Sequence, residues 1–493
     1  MTFDGNGRLS GNIPGHSAGT VIQFYVEATD TLGATAVYPP TEEDSGALYK
    51  VQDNQAGSGL QHRLRIIQPI DDINHQQVLA NRMSNHRLPG TIIVNESEVH
   101  YDVGIRLKGS SASRSHAGHG YNMRFQSINK YMGVHQNMSI DREMLDEMLI
   151  KQLNNLADGI PSMYNDSIFM IDPQTSSKNG IFILRMAGFG DVFLNETFRD
   201  GADGMLIDKD IDYRPINTTG GPEGGKLPTP WAHTSQGNAD IGEDFWGTDK
   251  DALRLRWRTK NHRTRDDFRQ IVQLNDTFRL QGLIPDDQWN DMLHELIDVD
   301  QWMRVLAMVN LAGVTDYLNQ SIWNHNYLLY PRPDTGQMVM LPWDLDIAYG
   351  SNAPLIGTGP HMRTRALVRI PENLRLLYGH YDHLIDIAYN GANAHAQAGQ
   401  LNLMFPGTDF TGPANYIASR ATSLTSQLPA AIPFQITTTG PLNAGSDGEA
   451  TITGEGWVDV REIRLSGTEP VSYTHLRAHE TDSYLVCRLL LEK

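Results

Sequence analysis

The stretch 341–350, LPWDLDIAYG, places two carboxylates directly after an apolar strand and ends in a glycine that permits a tight turn. Asp344 and Asp346 are two positions apart, so they share one face if the strand continues. Hard divalent cations take oxygen ligands of this kind. Acids that follow a strand also cap helices, so the spacing alone leaves metal binding and helix capping open.

A second group of polar residues precedes this stretch. Asp316 follows the apolar run Val305–Val314, and Asn326 stands just before a predicted hairpin that leads to Asp344. In phosphoryl transfer one Asp positions the acceptor hydroxyl, while an Asn and another Asp hold Mg²⁺. The order Asp, Asn, hairpin, Asp matches a kinase catalytic segment. Surface polar residues at a helix end are the alternative interpretation.

A third group ends a predicted strand and opens a Gly/Ser-rich loop. Residues 104–111 read GIRLKGSS and contain Arg106, Lys108, Ser110 and Ser111. Backbone amides, hydroxyls and cations suit a polyphosphate ligand. A solvated hairpin turn is the alternative.

These motifs together resemble the CotH kinase family, whose members are atypical secreted or spore-coat protein kinases with a kinase-like fold. The resemblance rests on VGIRLKGSS (103–111), YNMRF (121–125), the helix after DREML (141–145), TDYLNQSIWNHNYLLY (315–330) and LPWDLDIAYG. It covers about Leu60–Leu428. It implies an enzyme that uses ATP and Mg²⁺ to phosphorylate Ser or Thr residues of a protein substrate.

The resemblance also implies roles for particular residues. Asp316 corresponds to the catalytic Asp of the family. The metal-binding positions correspond to Asn326 and Asp344, with Asp346 as the other acid of the motif. The nucleotide-facing positions correspond to Arg106, Lys108, Ser110, Ser111 and the basic Arg124, with Glu147 as the helical ion-pair partner of Arg124.

One departure from the family pattern weakens the nucleotide side of the site. The family ends a small-lobe strand with an acidic residue, but the run 181–190 here reads IFILRMAGFG and has Arg185 instead. A catalytically weak surface-adhesion or structural protein that keeps the fold is therefore the alternative function. A glycoside hydrolase using Asp344 and Asp346 is a weaker one, because its carboxylates usually lie on separate elements.

The pattern of apolar residues predicts an α+β chain with a two-lobed kinase-like domain at 60–428. Strands are predicted at 63–67, 91–95, 100–107, 121–125, 167–171 and 180–184, and helices at 73–87, 141–156, 264–280, 285–296 and 298–311. The domain would be flanked by partial Ig- or fibronectin-like β-sandwich modules, 1–40 and 434–470. An extension docked on the main domain is the alternative for residues 1–40.

The final segment, 471–493, breaks the strand pattern, turns basic and contains Cys487, the one cysteine of the chain. It resembles a translated read-through from a metagenomic assembly, so we expect it to be non-native and to pack against nothing.

Composition excludes several classes of protein. The 493 residues carry a net charge of −18, which disfavours nucleic-acid binding because phosphate neutralisation needs excess Lys and Arg. No apolar run reaches the length of a membrane span, and residues 1–10 do not resemble a signal peptide. If the chain is a fragment of a longer protein, the family implies an extracellular, cell-surface or spore-coat location.

Overall fold

The computed structural model describes the chain in segments separated by gaps. These segments are 2–3, 5–55, 61–78, 81–82, 84–109, 114, 119–141, 145–186, 188–209, 213–215, 226–228, 240–242, 249–318, 324, 326–357, 362–440, 449–458, 475–478 and 483–490. The chain divides into two compact units. The first comprises Met1–Met144, Tyr164–Gly188 and Pro215–Lys226, and the second comprises Leu145–Met163, Phe189–Arg214 and Leu227–Lys493.

Short strands form the start of the first unit. They are β1 (Thr2–Phe3), β2 (Leu9–Ser10), β3 (Val21–Gln23), β4 (Val26–Thr29), β5 (Thr35–Tyr38) and β6 (Leu48–Lys50). They pair as three two-stranded sheets, β1 with β2, β3 with β6 and β4 with β5. The β4–β5 pair is an antiparallel hairpin that turns around Asp30–Gly33. A β-sandwich module is not confirmed, because the described part of residues 1–40 forms only separate pairs.

Residues 45–55 are fastened to the strands that follow them. The Leu48 amide donates to Thr91 Oγ1 at 2.8 Å, and that hydroxyl donates to the Gly46 carbonyl at 2.7 Å. The Arg65 guanidinium contacts Asp53 Oδ2 at 2.6 Å. These contacts fit the alternative interpretation, in which the N-terminal residues are an extension docked on the main fold.

The centre of the first unit is a closed seven-stranded barrel. Its elements are β7 (His62–Ile67), α1 (Ile70–Gln77), β8 (Leu88–Val94), β9 (Glu98–Leu107), β10 (Tyr121–Arg124), β11 (Asn137–Ile140), β12 (Asn165–Ile171) and β13 (Gly180–Met186). The order around the barrel is β10-β11-β13-β12-β7-β8-β9, with β9 returning to β10. The β7–β12 pair is parallel and the other pairs are antiparallel. The sequence predicted most of these strands as part of a two-lobed kinase-like domain. The closed barrel is a correction to that prediction, and the kinase-like lobes are not confirmed.

Alternating apolar residues fill the barrel interior. On β9, Val103, Ile105 and Leu107 are buried, while Arg106 between them points to the other side. The same core contains Leu64, Ile92, Met123, Ile140, Ile168 and Phe182. Burial of apolar surface on this scale is the main force that holds the barrel closed.

The second unit begins with helices and short strands. The helices are α2 (Glu147–Leu156), α3 (Asp191–Thr197) and α4 (Lys250–Arg256), and the strands are β14 (Ile207–Lys209) and β17 (Trp257–Thr259). Two further short strands, β15 (Tyr213–Pro215) and β16 (Lys226–Pro228), pair with each other.

Helices make up most of the remainder of the second unit. They are α5 (Arg269–Arg279), α6 (Asp286–Leu296), α7 (Val299–Leu311), α8 (Met362–Arg369), α9 (Pro371–Ile387), α10 (Gly391–Met404) and α11 (Thr411–Thr425). The strands β18 (Tyr327–Pro331) and β19 (Met338–Pro342) form the predicted hairpin and join β14 and β17 in a sheet of order β17-β14-β18-β19. The predicted helices at 264–280, 285–296 and 298–311 are confirmed as α5, α6 and α7, with the first starting later than predicted.

Helix α7 is the buried axis of the second unit. The Asp298 side chain caps it by accepting from the Gln301 amide at 3.0 Å, as helix N-caps commonly do. Val305 to Leu311 are all buried. The helix ends at Leu311, and Gly313 follows with a φ of +64° at a position where an added Cβ would lie 1.9 Å from Tyr416 Oη, so only glycine fits. No helix in the described residues is both long and apolar enough to cross a bilayer.

Two predicted helices are shorter than the sequence indicated. Helix α1 ends at Gln77 rather than near residue 87. Helix α2 begins at Glu147 rather than at Asp141. Asp141, where this helix was predicted to begin, instead lies before it and binds two cations, because its carboxylate oxygens contact Lys108 Nζ and Arg185 Nη2, each at 2.5 Å.

The C-terminal residues form a four-stranded sheet in the second unit. Its strands are β20 (Gln435–Ile436), β21 (Glu449–Glu455), β22 (His475–Ala478) and β23 (Ser483–Leu490), in the order β20-β21-β23-β22. Strand β23 pairs with β21 from Tyr484 to Leu490, and β22 approaches α9. The expectation that residues 471–493 pack against nothing is therefore wrong, because residues 484–490 pair with β21 as an antiparallel strand. A sandwich at 434–470 is not confirmed.

Candidate active site

Asp316 lies in the loop that follows α7. The Thr315 amide donates to the Ile347 carbonyl at 2.9 Å, and the Gly350 amide donates to the Gly313 carbonyl at 3.1 Å. These bonds tie the loop to the segment that follows Asp344. Asp316 is half-buried. The sequence-predicted catalytic residue and the LPWDLDIAYG stretch are thus neighbours in the second unit.

Asn326 connects Asp316 to the hairpin. Its amide nitrogen Nδ2 donates to the Asp316 backbone carbonyl at 2.8 Å and to Asp316 Oδ2 at 3.1 Å. The Asn326 side chain is almost fully buried. Because these bonds use the amide nitrogen, they orient the side-chain oxygen Oδ1 as the atom that is suited to a cation.

Asp344 follows the second strand of the same hairpin, at the end where Asn326 precedes the first strand. The ladder pairs Tyr327 with Pro342, and the Trp343 amide donates to the Asn326 carbonyl at 3.0 Å. Asn326 and Asp344 both adopt left-handed backbone, with φ of 66° and 54°. A non-glycine residue in this region costs about 1–3 kcal/mol and is common at functional sites. Asn and Asp tolerate it best, which agrees with the residue types found here.

A small, open pocket lies beside Asp344. Its lining residues are Glu147, Lys151, Asn154, Pro161, Ser162, Met163, Pro342, Asp344 and Leu345. Lys151 Nζ lies 3.3 Å from Glu147 Oε1, and both side chains are buried. The pocket therefore contains two carboxylates and one ammonium group, whereas Asp346 does not line it.

Lys151 is a charged residue of this pocket that sequence reasoning missed. Glu147 was predicted to pair with Arg124, but the partner that it has within the second unit is Lys151, one helical turn away. Arg124 is an exposed residue of β10 in the first unit, and its pairing with Glu147 stays a prediction. The spacing of Glu147 and Lys151, four positions apart on a predicted helix, is the sequence feature that could have indicated this ion pair.

The residues predicted to face the nucleotide belong to the first unit. Lys108 pairs with Asp141, which also binds the buried Arg185. Arg106 donates to the Leu107 carbonyl at 3.0 Å and lines a separate pocket with His75, Gln76 and Arg82. Ser110 and Ser111 lie outside the described residues. Arg185, noted only as a departure from the family, is thus the anchor of an ion-pair cluster at the end of β13.

The donors around Asp344 are oxygen atoms. In the portion of the chain that the structure describes, no three His, Cys, Asp or Glu side chains gather into a metal-binding group. Asp316 and Asp344 offer carboxylates, and Asn326 offers an amide oxygen. This donor set fits a hard cation such as Mg²⁺, which takes few protein ligands, better than a soft metal that prefers thiolate or imidazole.

A buried polar network supports the loop beyond Gly350. The Arg420 guanidinium, 3% exposed, donates to the Asn310 carbonyl at 3.1 Å, and its Nη2 donates to Asn310 Oδ1 and the Ala353 carbonyl, each at 2.5 Å. The Asn310 amide in turn donates to the Pro354 carbonyl at 2.9 Å. Helix α7 and the loop that follows the LPWDLDIAYG stretch are therefore joined by the Arg420 guanidinium and by the Asn310 side chain.

Arg420→Ala is expected to lower the free energy of unfolding by about 2–4 kcal/mol, because buried acceptors then lose their donor. Urea denaturation would measure the loss. Thr422→Ala, at an exposed position of the same helix, is the control and should change little. Arg420→Lys should recover only part of the loss, since Lys lacks the planar fork. Equal stability of Arg420→Ala and wild type would contradict the structural role.

Comparisons with known proteins show which sequences this chain is similar to. Residues 233–380 match the family described as CotH kinase protein. The chain is also 28% identical over 120 residues to the inner spore coat protein H of Bacillus subtilis (strain 168), a match that covers 24% of this chain and 31% of that protein. The chain thus matches about a third of the length of this relative. The matched family segment contains Asp316, Asn326 and Asp344, whereas the barrel lies outside it. These two matches confirm the resemblance of this chain to the CotH kinase family.

Proposed function

We propose that the chain is an atypical protein kinase of the CotH type, which transfers the γ-phosphate of ATP to Ser or Thr residues of a protein acceptor. The observation that carries this proposal is the hydrogen bond from Asn326 Nδ2 to Asp316 Oδ2 at 3.1 Å, beside the hairpin end that presents Asp344. The family match over residues 233–380 supports a kinase at the level of the family.

Each of these residues has a separate task in the proposed reaction. Asp316 accepts the proton of the acceptor hydroxyl as the oxygen attacks the γ-phosphorus. The bond from that phosphorus to the β–γ bridging oxygen breaks, and ADP leaves. Asn326 holds the Asp316 carboxylate in one orientation by donating to Oδ2. Asp344 and Asn326, with Asp346 as a further acid, would hold Mg²⁺, which neutralises phosphate charge when bound.

The pocket beside Asp344 would receive part of the phosphate-bearing ligand. Lys151 supplies a cation there, and Glu147 fixes the Lys151 side chain by an ion pair. On the first unit, Arg106, Lys108, Arg124 and the Ser110–Ser111 loop remain the proposed nucleotide contacts.

A location at the cell surface or in the spore coat is part of the proposal. It draws on the name of the Bacillus subtilis relative, which is a spore coat protein. The acceptor would then be a coat or surface protein rich in Ser or Thr.

A catalytically weak surface-adhesion or structural protein is the second candidate function. The observation that favours it is the ion pair of Lys108 with Asp141, because a cation predicted for ATP already has a carboxylate at 2.5 Å. Such a protein would keep the fold without phosphate transfer.

Incubation with γ-labelled ATP, Mg²⁺ and Ser/Thr-rich acceptor proteins tests the proposal, with a thermal-shift measurement in ATP–Mg²⁺ alongside. Label in the acceptor together with a nucleotide-dependent rise in Tm supports a kinase. If neither label nor shift is found, the adhesion protein is the correct interpretation.

A further inference from the structure

An exposed basic segment interrupts an otherwise acidic chain. Residues 254–269, RLRWRTKNHRTRDDFR, contain seven Arg or Lys residues and two Asp residues, although the whole chain has a net charge of −18. The segment includes β17 and the 3₁₀ turn Arg263–Arg265. A local excess of positive charge of this kind attracts anionic partners.

Two of the cations converge on one buried carboxylate. Arg258 Nη2 and Lys260 Nζ lie 2.8 and 3.1 Å from the same oxygen, Oδ2 of Asp208. Burial disfavours the charged form of Asp208, but Lys260 and Arg258 lower its pKa overall. The Arg258 and Lys260 side chains are 47% and 37% exposed. The two cations thus share one oxygen of Asp208, and both remain partly accessible to solvent.

Two further cations of the segment, Arg263 and Arg265, contact acceptors without net charge. Arg263 Nε donates to the Thr259 carbonyl at 3.2 Å, and Arg265 Nη1 donates to the Asp203 carbonyl at 2.7 Å. These acceptors are backbone groups without net charge, so the bonds orient each guanidinium and leave its charge uncompensated. Both side chains are exposed. Arg258, Lys260, Arg263 and Arg265 are called the basic cluster below.

The basic cluster adjoins the candidate active site within the second unit. Lys260 Nζ lies 5.9 Å from the centre of the Trp343 ring, a distance typical of a cation–π contact. Trp343 directly precedes Asp344, and its amide is bonded to Asn326. Strand β17 also belongs to the same sheet as the hairpin. A peptide whose hydroxyl reached Asp316 would therefore have Lys260 of the basic cluster close by.

We propose that the basic cluster binds phosphoserine residues of the protein acceptor, so that acceptors already phosphorylated at one position are preferred for phosphorylation at another. This inference rests on the proposed function. Guanidinium groups match phosphate oxygens in pairs, and a phosphoserine carries close to two negative charges at neutral pH. The acceptor that carries a phosphoserine after the first transfer is thus itself a ligand for the basic cluster.

The test compares three peptides of one Ser-rich sequence, unmodified, with one Ser replaced by phosphoserine, and with that Ser replaced by Glu. Their binding is measured by fluorescence anisotropy on Asp316→Asn protein, so that no transfer alters the peptides. The double variant Arg263→Gln/Arg265→Gln should weaken phosphopeptide binding by about 2- to 30-fold, since each exposed charge pair contributes about 0.2–1 kcal/mol. Binding of the unmodified peptide should not change.

Two further variants keep the test decisive. Arg279→Gln at the far end of α5, where Arg279 is 49% exposed and lies 3.8 Å from Asp276, is the matched control and should bind like the parent. Lys260→Gln, which leaves Arg258 on Asp208, should weaken phosphopeptide binding even if the double variant folds poorly.

Equal affinity of parent and both cluster variants for the phosphopeptide would overturn the inference. So would a loss confined to a single-stranded oligonucleotide probe, which would assign the cluster to nucleic acid. Loss of phosphopeptide binding in the variants, with wild-type protein still transferring phosphate to the unmodified peptide, supports it. Absence of transfer by wild type would instead refute the proposed function, whereas the binding result reports on the cluster alone.

Discussion

Asp316→Asn is expected to transfer phosphate at least ~100-fold more slowly than wild type and to bind ATP–Mg²⁺ about equally well. A general base and positioning group contributes on the order of 10²–10⁴-fold in rate. The substitution removes the charge and the base but keeps the size of the side chain. Its amide oxygen can still accept from Asn326 Nδ2, which now lies 3.1 Å from Asp316 Oδ2, so the local structure should persist.

Single-turnover rates with labelled ATP, measured beside a thermal shift in ATP–Mg²⁺, would separate chemistry from binding. Asp334→Asn is the matched control, because Asp334 lies in the turn of the same hairpin and pairs with Arg332. It should keep the wild-type rate. Equal rates for Asp316→Asn and wild type would remove Asp316 from the mechanism.

Asp344→Asn is expected to abolish the Mg²⁺-dependent stabilisation of the protein by ATP. A ligand present at 100 times its Kd stabilises the folded state by about 2.7 kcal/mol, and this contribution should disappear. The structure favours Asn over Ala as the replacement, because Asp344 has φ of 54° and Ala tolerates that backbone poorly. Without ligand, the variant should be at least as stable as wild type, since the neighbouring Glu147 loses a like charge in the pocket.

Thermal unfolding with ATP alone, with ATP–Mg²⁺ and with EDTA would measure this effect. Asp346→Asn offers an internal comparison, because Asp346 follows by two positions but does not line the pocket. We expect Asp346→Asn to lose less of the Mg²⁺-dependent stabilisation than Asp344→Asn. A wild-type Mg²⁺-dependent shift in Asp344→Asn would show that the metal assignment is wrong.

The sequence predicted the parts of the fold that local patterns determine. Helices α5 to α7 have apolar residues at helical spacing, and α7 has the Asp298 cap, so local pattern and tertiary packing agree there. The hairpin Tyr327–Pro342 was visible because two apolar runs flank a Pro-Asp-Thr-Gly turn. The order Asp316, Asn326, Asp344 was visible for the same reason, since all three stand at the ends of these elements.

Long-range pairing and charge partners were not predictable in this way. Barrel closure depends on the parallel pairing of His62 with Ile168, and neither strand carries a local mark of its partner. Asp141 was predicted as the start of a helix, because the cations that bind it, Lys108 and Arg185, are distant in sequence and leave no local pattern. The left-handed backbone of Asn326 and Asp344 likewise depends on packing around the hairpin ends and not on the residues alone.

The insertion of residues 145–163 between β11 and β12 has a consequence for folding during synthesis. These residues belong to the second unit, whereas the strands on either side belong to the barrel. Strand β7 therefore leaves the ribosome long before β12, its parallel partner. Until β12 is synthesised, the edge of β7 that pairs with β12 stays exposed. Pairings this distant in sequence slow folding, and exposed strand edges promote aggregation. A nascent chain that stops before Met186 should consequently depend on chaperones more than one that continues past it.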